Sequence, residues 1–516
     1  MKLMSLYNKD VLGAISGLDR IRFRGTLRWL ANETGIRKFL TGSNVLLKDF
    51  TGWAKGITQN IKDCCDNQAQ VLGIETLYLN GGDIVKEQLA RQIAEKNGIE
   101  VGPICNFSAV EQCFVPQIKA DKSTKKLHIK ILPSKCMHLY HYFNHPEYGF
   151  GHVRFQTWAP YNIFINLNGR HWLERQLINN NIDYVKSGNC FPWIEDVQKA
   201  QELINSQLET NWPDLLNSLV GQMCPDLASI LPLRPDYYWS ADSTEWATDI
   251  MFRSQAVLDE LYPSLIYHAM KVSDSPSVMR FLGRNDLRGK SPDEVISDCR
   301  HRYEGIRVKH WVNHNSVKMY NKSGSILRIE TTINNTRDFK VFRHPDDDTS
   351  RPASWQKMRK GVSDLHRRCQ ISQQCNERYA DTLATLEVEQ KLKEAVSDSC
   401  NKVKKDGKIY RGLNPWGNED YRLLTFLAKG ENAIRGFRNK DIRLNLYPET
   451  AKMPPPQQRK YAARVSRRIK LLRVHGLVKK VAKENRYMLT SKGRNFATGL
   501  INASNIDIKR LTEIVA

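Results

Sequence analysis

Lys318, Tyr320, Arg328 and Glu330 fall within one stretch, NSVKMYNKSGSILRIETTIN, spanning 315–334. Together they hold the parts of a phosphoryl-transfer site. A phenol can attack a phosphodiester, leaving a covalent phosphotyrosine and a free 3′-OH. An arginine can hold the phosphate and stabilise the phenolate, and a carboxylate can bind the cation that polarises the scissile phosphate. Whether the four residues meet depends on strand register. The stretch reads as a β-hairpin turning within KSGS. A two-residue turn at Ser323-Gly324 would pair Tyr320 with Leu327 and mix polar and apolar groups on both faces. A three-residue turn, Ser323 to Ser325, pairs Tyr320 with Arg328 and Lys318 with Glu330. Its other face is then Val317, Met319, Leu327, Ile329 and Ile333, and burial of that continuous face selects this register. The polar quartet has three readings: catalysis, contact with a nucleic acid without chemistry, or a solvated face. In the last, Lys318 pairs with Glu330 and Arg328 stacks on Tyr320.

Two further segments offer charge. In RPDYYWSADSTEWATDIMFR (234–253), a helical reading places Asp242, Glu245 and Asp249 at i, i+3 and i+7 on one face. There they could hold a divalent cation, or serve as a cap and a partner for Arg253. Magnesium or manganese is expected only if the tyrosine cuts a phosphodiester. In GLDRIRFRGTLRWL (17–30), arginines alternate with apolar residues. This predicts a strand whose Arg20, Arg22 and Arg24 either meet phosphates or are solvated at an edge. His138 and His141, spaced His-x-x-His on an expected strand, point to opposite faces and cannot share a metal.

These residues need elements to hold them. Residues 127–177 read as several aromatic-rich strands, with turns at HPEYG and Asn168-Gly169, followed by a helix. Their aromatic residues read as a sheet core in preference to a base-stacking platform. The charge is concentrated at the other end of the chain. The whole protein carries a net +23, and between 434 and 494 there are 18 Lys and Arg against Asp441, Glu449 and Glu484. Such a balance points to a polyanion partner. Residues 418–430 read as a helix capped by Asn418, and 440–447 as a second. The run 457–476 reads as a third, with Tyr461, Val465, Ile469 and Leu472 as its apolar stripe and Gly476 as its stop. Residues 477–493 alternate like a hairpin around Lys-Glu-Asn.

The order helix, helix, basic helix, hairpin resembles the MarR-like winged-helix domains, carried by Arg464 through LLRVHGLVKK to YMLTSKG. That resemblance implies that Arg464, Arg467, Arg468 and Arg473 contact a DNA groove or its phosphates. It makes Lys479, Lys480, Lys483 and Arg486 wing contacts. Separately, SVKMYNKSGSILRIETTIN resembles a stretch of rolling-circle replication initiators of the Rep-trans and phage gene II type. This implies that Tyr320 is the nicking nucleophile and Glu330 a metal ligand.

A chain of 516 residues is too long for one core. We expect an α+β multidomain protein: an N-terminal α/β region at 1–120, a central antiparallel sheet domain at 121–345, a helical connector and linker at 346–415, and a winged helix at 416–516. Eleven scattered cysteines lack zinc-ribbon spacing and are expected to be reduced. No P-loop, HExxH or internal repeat is present. No apolar run reaches membrane-spanning length and no signal peptide is evident, so the expected location is the cytoplasm. The expected function is DNA binding for a mobile element or replicon, with metal-dependent tyrosine nicking. The alternatives are a non-enzymatic binder of a structured RNA, and a winged-helix transcription regulator with a large sensor region.

Overall fold

The computed structural model describes residues 1–80, 84–231, 236–273, 275–283, 295–302, 305–345, 350–384, 396–397, 399–429, 432, 436–481 and 484–504. The architecture is α+β, and the chain divides into two compact units that are each discontinuous in sequence. The first comprises Met1–Gly13, Ile250–Ile329 and Gln374–Ala516; the second comprises Ala14–Asp249 and Glu330–Gln373.

In the second unit, long alternating runs make long strands. These are β1 (Val11–Thr26), β2 (Thr76–Tyr78), β3 (Gly102–Asp121), β4 (Lys126–His145), β5 (Gly149–Gln156) and β6 (Ile163–Asn168). A small separate hairpin, β7 (Tyr184–Ser187) and β8 (Cys190–Ile194), follows them. β9 (Tyr238–Phe252) and, further along the chain, β13 (Ile326–Thr332) complete the set. The hydrogen-bonded order is β13-β9-β1-β6-β5-β4-β3-β2, and the division between the units falls inside β1, β9 and β13. β3 and β4 form one continuous antiparallel hairpin from Gly102↔Asn144 to Asp121↔Lys126, across the boundary expected at 120/121.

The aromatic run is core, as the alternation predicts. Tyr142, Phe143, Tyr148, Phe155 and Tyr161 are all at most 2 % exposed. Helix α1 (Phe50–Leu72) adds Phe50, Ala54, Ile57, Ile61 and Cys65, at helical spacing, to the core that holds Phe143, Tyr148, Phe155 and Tyr161, whereas Tyr142 packs in a separate cluster with Ala90 and Ala94. Each large apolar side chain so buried contributes about 1.5–3 kcal/mol. Helices α2 (Lys86–Lys96), α3 (Gly169–Asn179) and α4 (Trp212–Met223) add to this unit. The turn expected at Asn168-Gly169 starts α3. The Asn168 side chain accepts hydrogen bonds from the backbone N–H of Arg170 and His171, at 2.8 and 3.3 Å. His138 and His141 are both buried on β4, and His141 Nδ1 lies 2.8 Å from the Asn106 side-chain oxygen.

The segment 234–253 corrects the helical reading. β-branched and aromatic residues at Tyr238, Trp239, Thr244, Trp246, Thr248 and Ile250 favour a strand, and β9 runs through all three carboxylates. They therefore do not share a helical face.

The first unit contains α5 (Gln255–Val272) and the strands β10 (Ile296–Arg302), β11 (Gly305–Val312) and β12 (Asn315–Lys322), in the order β10-β11-β12-β13-β9. Three residues, Ser323–Ser325, separate β12 from β13, the loop length expected from the apolar pattern. Ser323 and Gly324 take left-handed backbone, φ +49 and +74, and the Ser325 N–H donates to the Ser323 carbonyl at 2.9 Å. Two small hairpins follow: β14 (Lys340–Arg343) with β15 (Ser354–Lys357) in the second unit, and β16 (Val403–Lys405) with β17 (Lys408–Tyr410) in the first. Towards the C-terminus come α6 (Asn418–Ala428), α7 (Asn439–Leu446), α8 (Pro455–Val474), a short hairpin of β18 (Val478–Lys480) and β19 (Tyr487–Leu489), and α9 (Ser491–Ala503). The N-cap of α6 is Gly417, and the expected cap Asn418 is already helical. α8 buries Val465, Ile469 and Leu472 and stops before Gly476 at φ +72, as its sequence predicts. No described helix is long and apolar enough to cross a membrane. All eleven cysteines are free thiols.

Burial pushes His141 and His152, and in the first unit His268 and His310, down to about 4. An unfolded histidine protonates near pH 6.5, so between these values the unfolded chain binds more protons. The stability these groups provide is complete above pH 6.5 and is lost as the pH falls towards 4. The urea midpoint is expected to drop across that window; a flat midpoint between pH 6.5 and 4.5 would contradict neutral burial.

Candidate functional site

The second unit gathers three carboxylates that are far apart in sequence. Asp19 on β1, Glu245 on β9 and Glu330 on β13 each bring an oxygen to within 4.8 Å of the other two. Their strands are neighbours in the order β13-β9-β1, so each contributes one side chain to a common point. Asp19 and Glu330 are 1 % and 0 % exposed, and Glu245 is half-buried.

Local structure fixes Asp19 closely. Asn189, in the turn between β7 and β8, donates its side-chain N–H to both Asp19 oxygens at 2.7 and 2.9 Å. Gly169 at the start of α3 lies flat on β1, where a Cβ would meet the Leu18 carbonyl oxygen at 2.3 Å. Any larger residue at 169 would push the backbone that carries Asp19.

A groove of about 360 Å³ leads to Glu245, and Arg20, Arg22, Arg91, His152 and Asn166 are among its lining residues. Arg20 and Arg22 pair in register with Asn168 and Asn166 of β6. The Asn166 side-chain N–H donates to His152 Nε2 at 2.8 Å, which fits an imidazole kept neutral by burial. Arg24 lies over the Phe164 ring at 5.6 Å.

The structure redistributes the carboxylates proposed for a metal. Asp242 forms an ion pair with Arg22 at 2.6 Å and lies 3.9 Å from Lys360. Asp249 is fully buried against Arg170 at 3.3 Å, and Arg170 also donates to the Ala247 carbonyl at 3.0 Å. Glu245 and Glu330 do meet, with Asp19 as the third member. Asp19 was missed by sequence reasoning. Its signal was a lone carboxylate on the apolar parity of a strand, between Leu18 and Ile21, while the arginines occupy the other parity.

The hairpin quartet is not a solvated face. Tyr320 is 5 % exposed and Arg328 and Glu330 are 0 % exposed, while Lys318 is half-buried. Within the first unit the ammonium groups of Lys318 and Lys322 lie 5.7 and 5.8 Å from the centre of the Tyr320 ring, and Arg307 is its register partner on β11. Two ammonium groups thus lie near the ring of Tyr320.

The C-terminal cations are in differing states. Arg467, Arg473, Lys479 and Lys480 are exposed. Arg464 donates to Glu419 at 2.5 Å, and Arg468, largely buried, donates to Glu419 and, at 2.9 Å, to Asp420. Arg486 pairs with Glu484 at 3.1 Å, and Lys483 lies outside the described residues.

No known family model, curated protein or solved structure matches this chain. The chemistry of the site therefore rests on its own atoms. Its three donors are all carboxylates, a set that fits a hard divalent cation such as Mg²⁺ or Mn²⁺ better than zinc. Such an ion would be expected to raise the thermal midpoint of the wild-type protein by several degrees at millimolar concentration. Asp19→Asn and Glu245→Gln should abolish most of that rise, read by differential scanning calorimetry. An equal rise in all three proteins would place the ion elsewhere.

Proposed function

We propose that this is a nucleic-acid-binding protein, with DNA as the favoured partner, that cuts a phosphodiester with the help of a divalent cation. The observation that carries the reading is the convergence of Asp19, Glu245 and Glu330 within 4.8 Å of one another, with Glu245 also lining a groove that holds Arg20. These carboxylates would hold Mg²⁺ or Mn²⁺, which when bound polarises a phosphodiester and neutralises charge developing on it. Arg20, which lines the groove beside Glu245, would supply a cation for a flanking phosphate, while Arg22 is held by Asp242. The resemblance to rolling-circle initiators supplies Tyr320 as nucleophile. The phenol would give up its proton as its oxygen bonds to phosphorus, the bond to the 3′-oxygen would break, and the leaving oxygen would take up one proton to become a 3′-OH. A mobile element or replicon is the setting this reaction implies. The C-terminal order of helices and hairpin, with its +15 between 434 and 494, supports a winged helix that binds the same nucleic acid.

With labelled single-stranded DNA and Mn²⁺, the expected product is a covalent protein–DNA adduct. Tyr320→Phe should remove the adduct, and Glu330→Gln should lower the cutting rate at least a hundredfold while leaving DNA binding within about twofold. Cutting that survives Tyr320→Phe would remove the tyrosine from the reaction.

The burial of Tyr320 favours a second reading, binding without chemistry to a structured RNA. In that case discrete RNA copurifies with the protein, and Tyr320→Phe leaves its yield unchanged.

A further inference from the structure

Beside the helices of the C-terminal part lies a second groove, of about 850 Å³, and it belongs wholly to the first unit. One wall is the β17 strand of the β16–β17 hairpin, with Lys408, Ile409 and Tyr410. The other is one face of α8, on which Lys460, Arg464, Arg467 and Leu471 recur at helical spacing. Seven of its eleven lining residues are lysine or arginine, and none is acidic.

This groove is built. Leu413 is buried in the helical core, and Tyr410 packs against that core. His475 Nε2 lies 2.9 Å from the Arg411 carbonyl oxygen. Arg411 grips Asp420 with two hydrogen bonds of 2.8 and 3.0 Å, and the Asn414 N–H donates to the same carboxylate at 3.0 Å. Asp420, 5 % exposed at the start of α6, therefore ties the hairpin's exit strand to α8 through Arg468. Glu419 and Asp420 neutralise at most two of the three arginines they hold, so the lining keeps an excess of about five positive charges. Two tyrosines line it: Tyr410, with the Lys470 ammonium 5.7 Å from its ring centre, and Tyr461 on α8, whose ring also meets Tyr447 at 5.0 Å.

We infer that this groove binds a single-stranded segment of nucleic acid. A helix with its side chains is about 10–12 Å across and fills a B-DNA major groove about 12 Å wide by itself. Here the β17 strand shares a groove with the basic face of α8, so helix and hairpin together exceed that width. A single strand needs no such entry: its phosphates can track the lysines and arginines while its bases stack on Tyr410 and Tyr461. The inference rests on the nucleic-acid reading above and changes the form of the ligand from duplex to single strand at this surface.

The test uses the full-length protein, a fluorescein-labelled 20-nucleotide oligo-dT and a 20-base-pair duplex, titrated by anisotropy at 50 to 200 mM salt without divalent cation. Oligo-dT is expected to bind more tightly than duplex. Arg467→Glu with Lys470→Glu should weaken oligo-dT at least tenfold and flatten its salt dependence. Tyr410→Ala should weaken oligo-dT about fivefold or more and leave the duplex unchanged. Arg37→Glu with Lys38→Glu, both exposed and in the second unit, should leave oligo-dT within about twofold. Variants are compared at matched thermal midpoints, and Tyr410→Phe should restore binding that Tyr410→Ala loses. If nucleic acid binds but is indifferent to Arg467, Lys470 and Tyr410, or if duplex binds through them better than oligo-dT, the inference fails and the function proposed above stands. If neither probe binds at 50 mM salt, both fail.

Discussion

Three carboxylates brought within 4.8 Å of one another, two of them removed from water, form the constraint on which the second unit is organised. Were all three ionised, each pair would repel by about 3 kcal/mol at an effective dielectric of ~20. A sheet does not accept that without compensation. Part of it is visible in Asn189, in the turn of the β7–β8 hairpin, which donates to both oxygens of Asp19. The contact of α3 with β1 at Gly169 holds the same backbone from another direction. A divalent cation held there, as proposed above, would offset part of that repulsion and connect a structural cost to a chemical use.

Acidic side chains organise the C-terminal part of the first unit in a different manner. Glu419 and Asp420, adjacent at the start of α6, hold Arg411, Arg464 and Arg468, drawn from a hairpin exit and from the third helix. Their position in the first turn of α6 also suits the helix dipole. Basic residues that a reading of charge alone assigns to phosphates thus divide into two groups. Arg468 is a strut, whereas Lys460, Arg467 and Lys470 are exposed and available to a ligand. On β1, Arg22 pairs with Asp242, and both Arg20 and Arg22 line the groove that includes Glu245.

Much of this was legible from residue patterns where a single physical rule governs. The apolar stripe and glycine stop delimited α8, the Arg/apolar alternation revealed β1, and burial of one face chose the three-residue loop at Ser323–Ser325. The failures share a cause, which is that tertiary context decided the outcome. Asp242, Glu245 and Asp249 looked like a helical triad because their spacing allows it, but β-branched and aromatic neighbours place them on a strand. Only Glu245 reaches the carboxylate cluster. The quartet on β12 and β13 looked half-solvated because a two-stranded hairpin has a wet face; yet every residue of β13 is buried. Asp19 could be recognised only by asking why a carboxylate occupies an apolar parity, and its partners lie more than 200 residues away in sequence.

The most direct measurement of the central claim is a crystal structure of the full-length protein soaked in Mn²⁺, with anomalous scattering collected at the manganese edge. The account predicts one strong peak coordinated by oxygens of Asp19, Glu245 and Glu330, and its loss in Asp19→Asn crystals. A manganese peak elsewhere, with the three carboxylates hydrogen-bonded only to one another and to protein donors, would contradict it and leave the cluster a structural feature of the sheet.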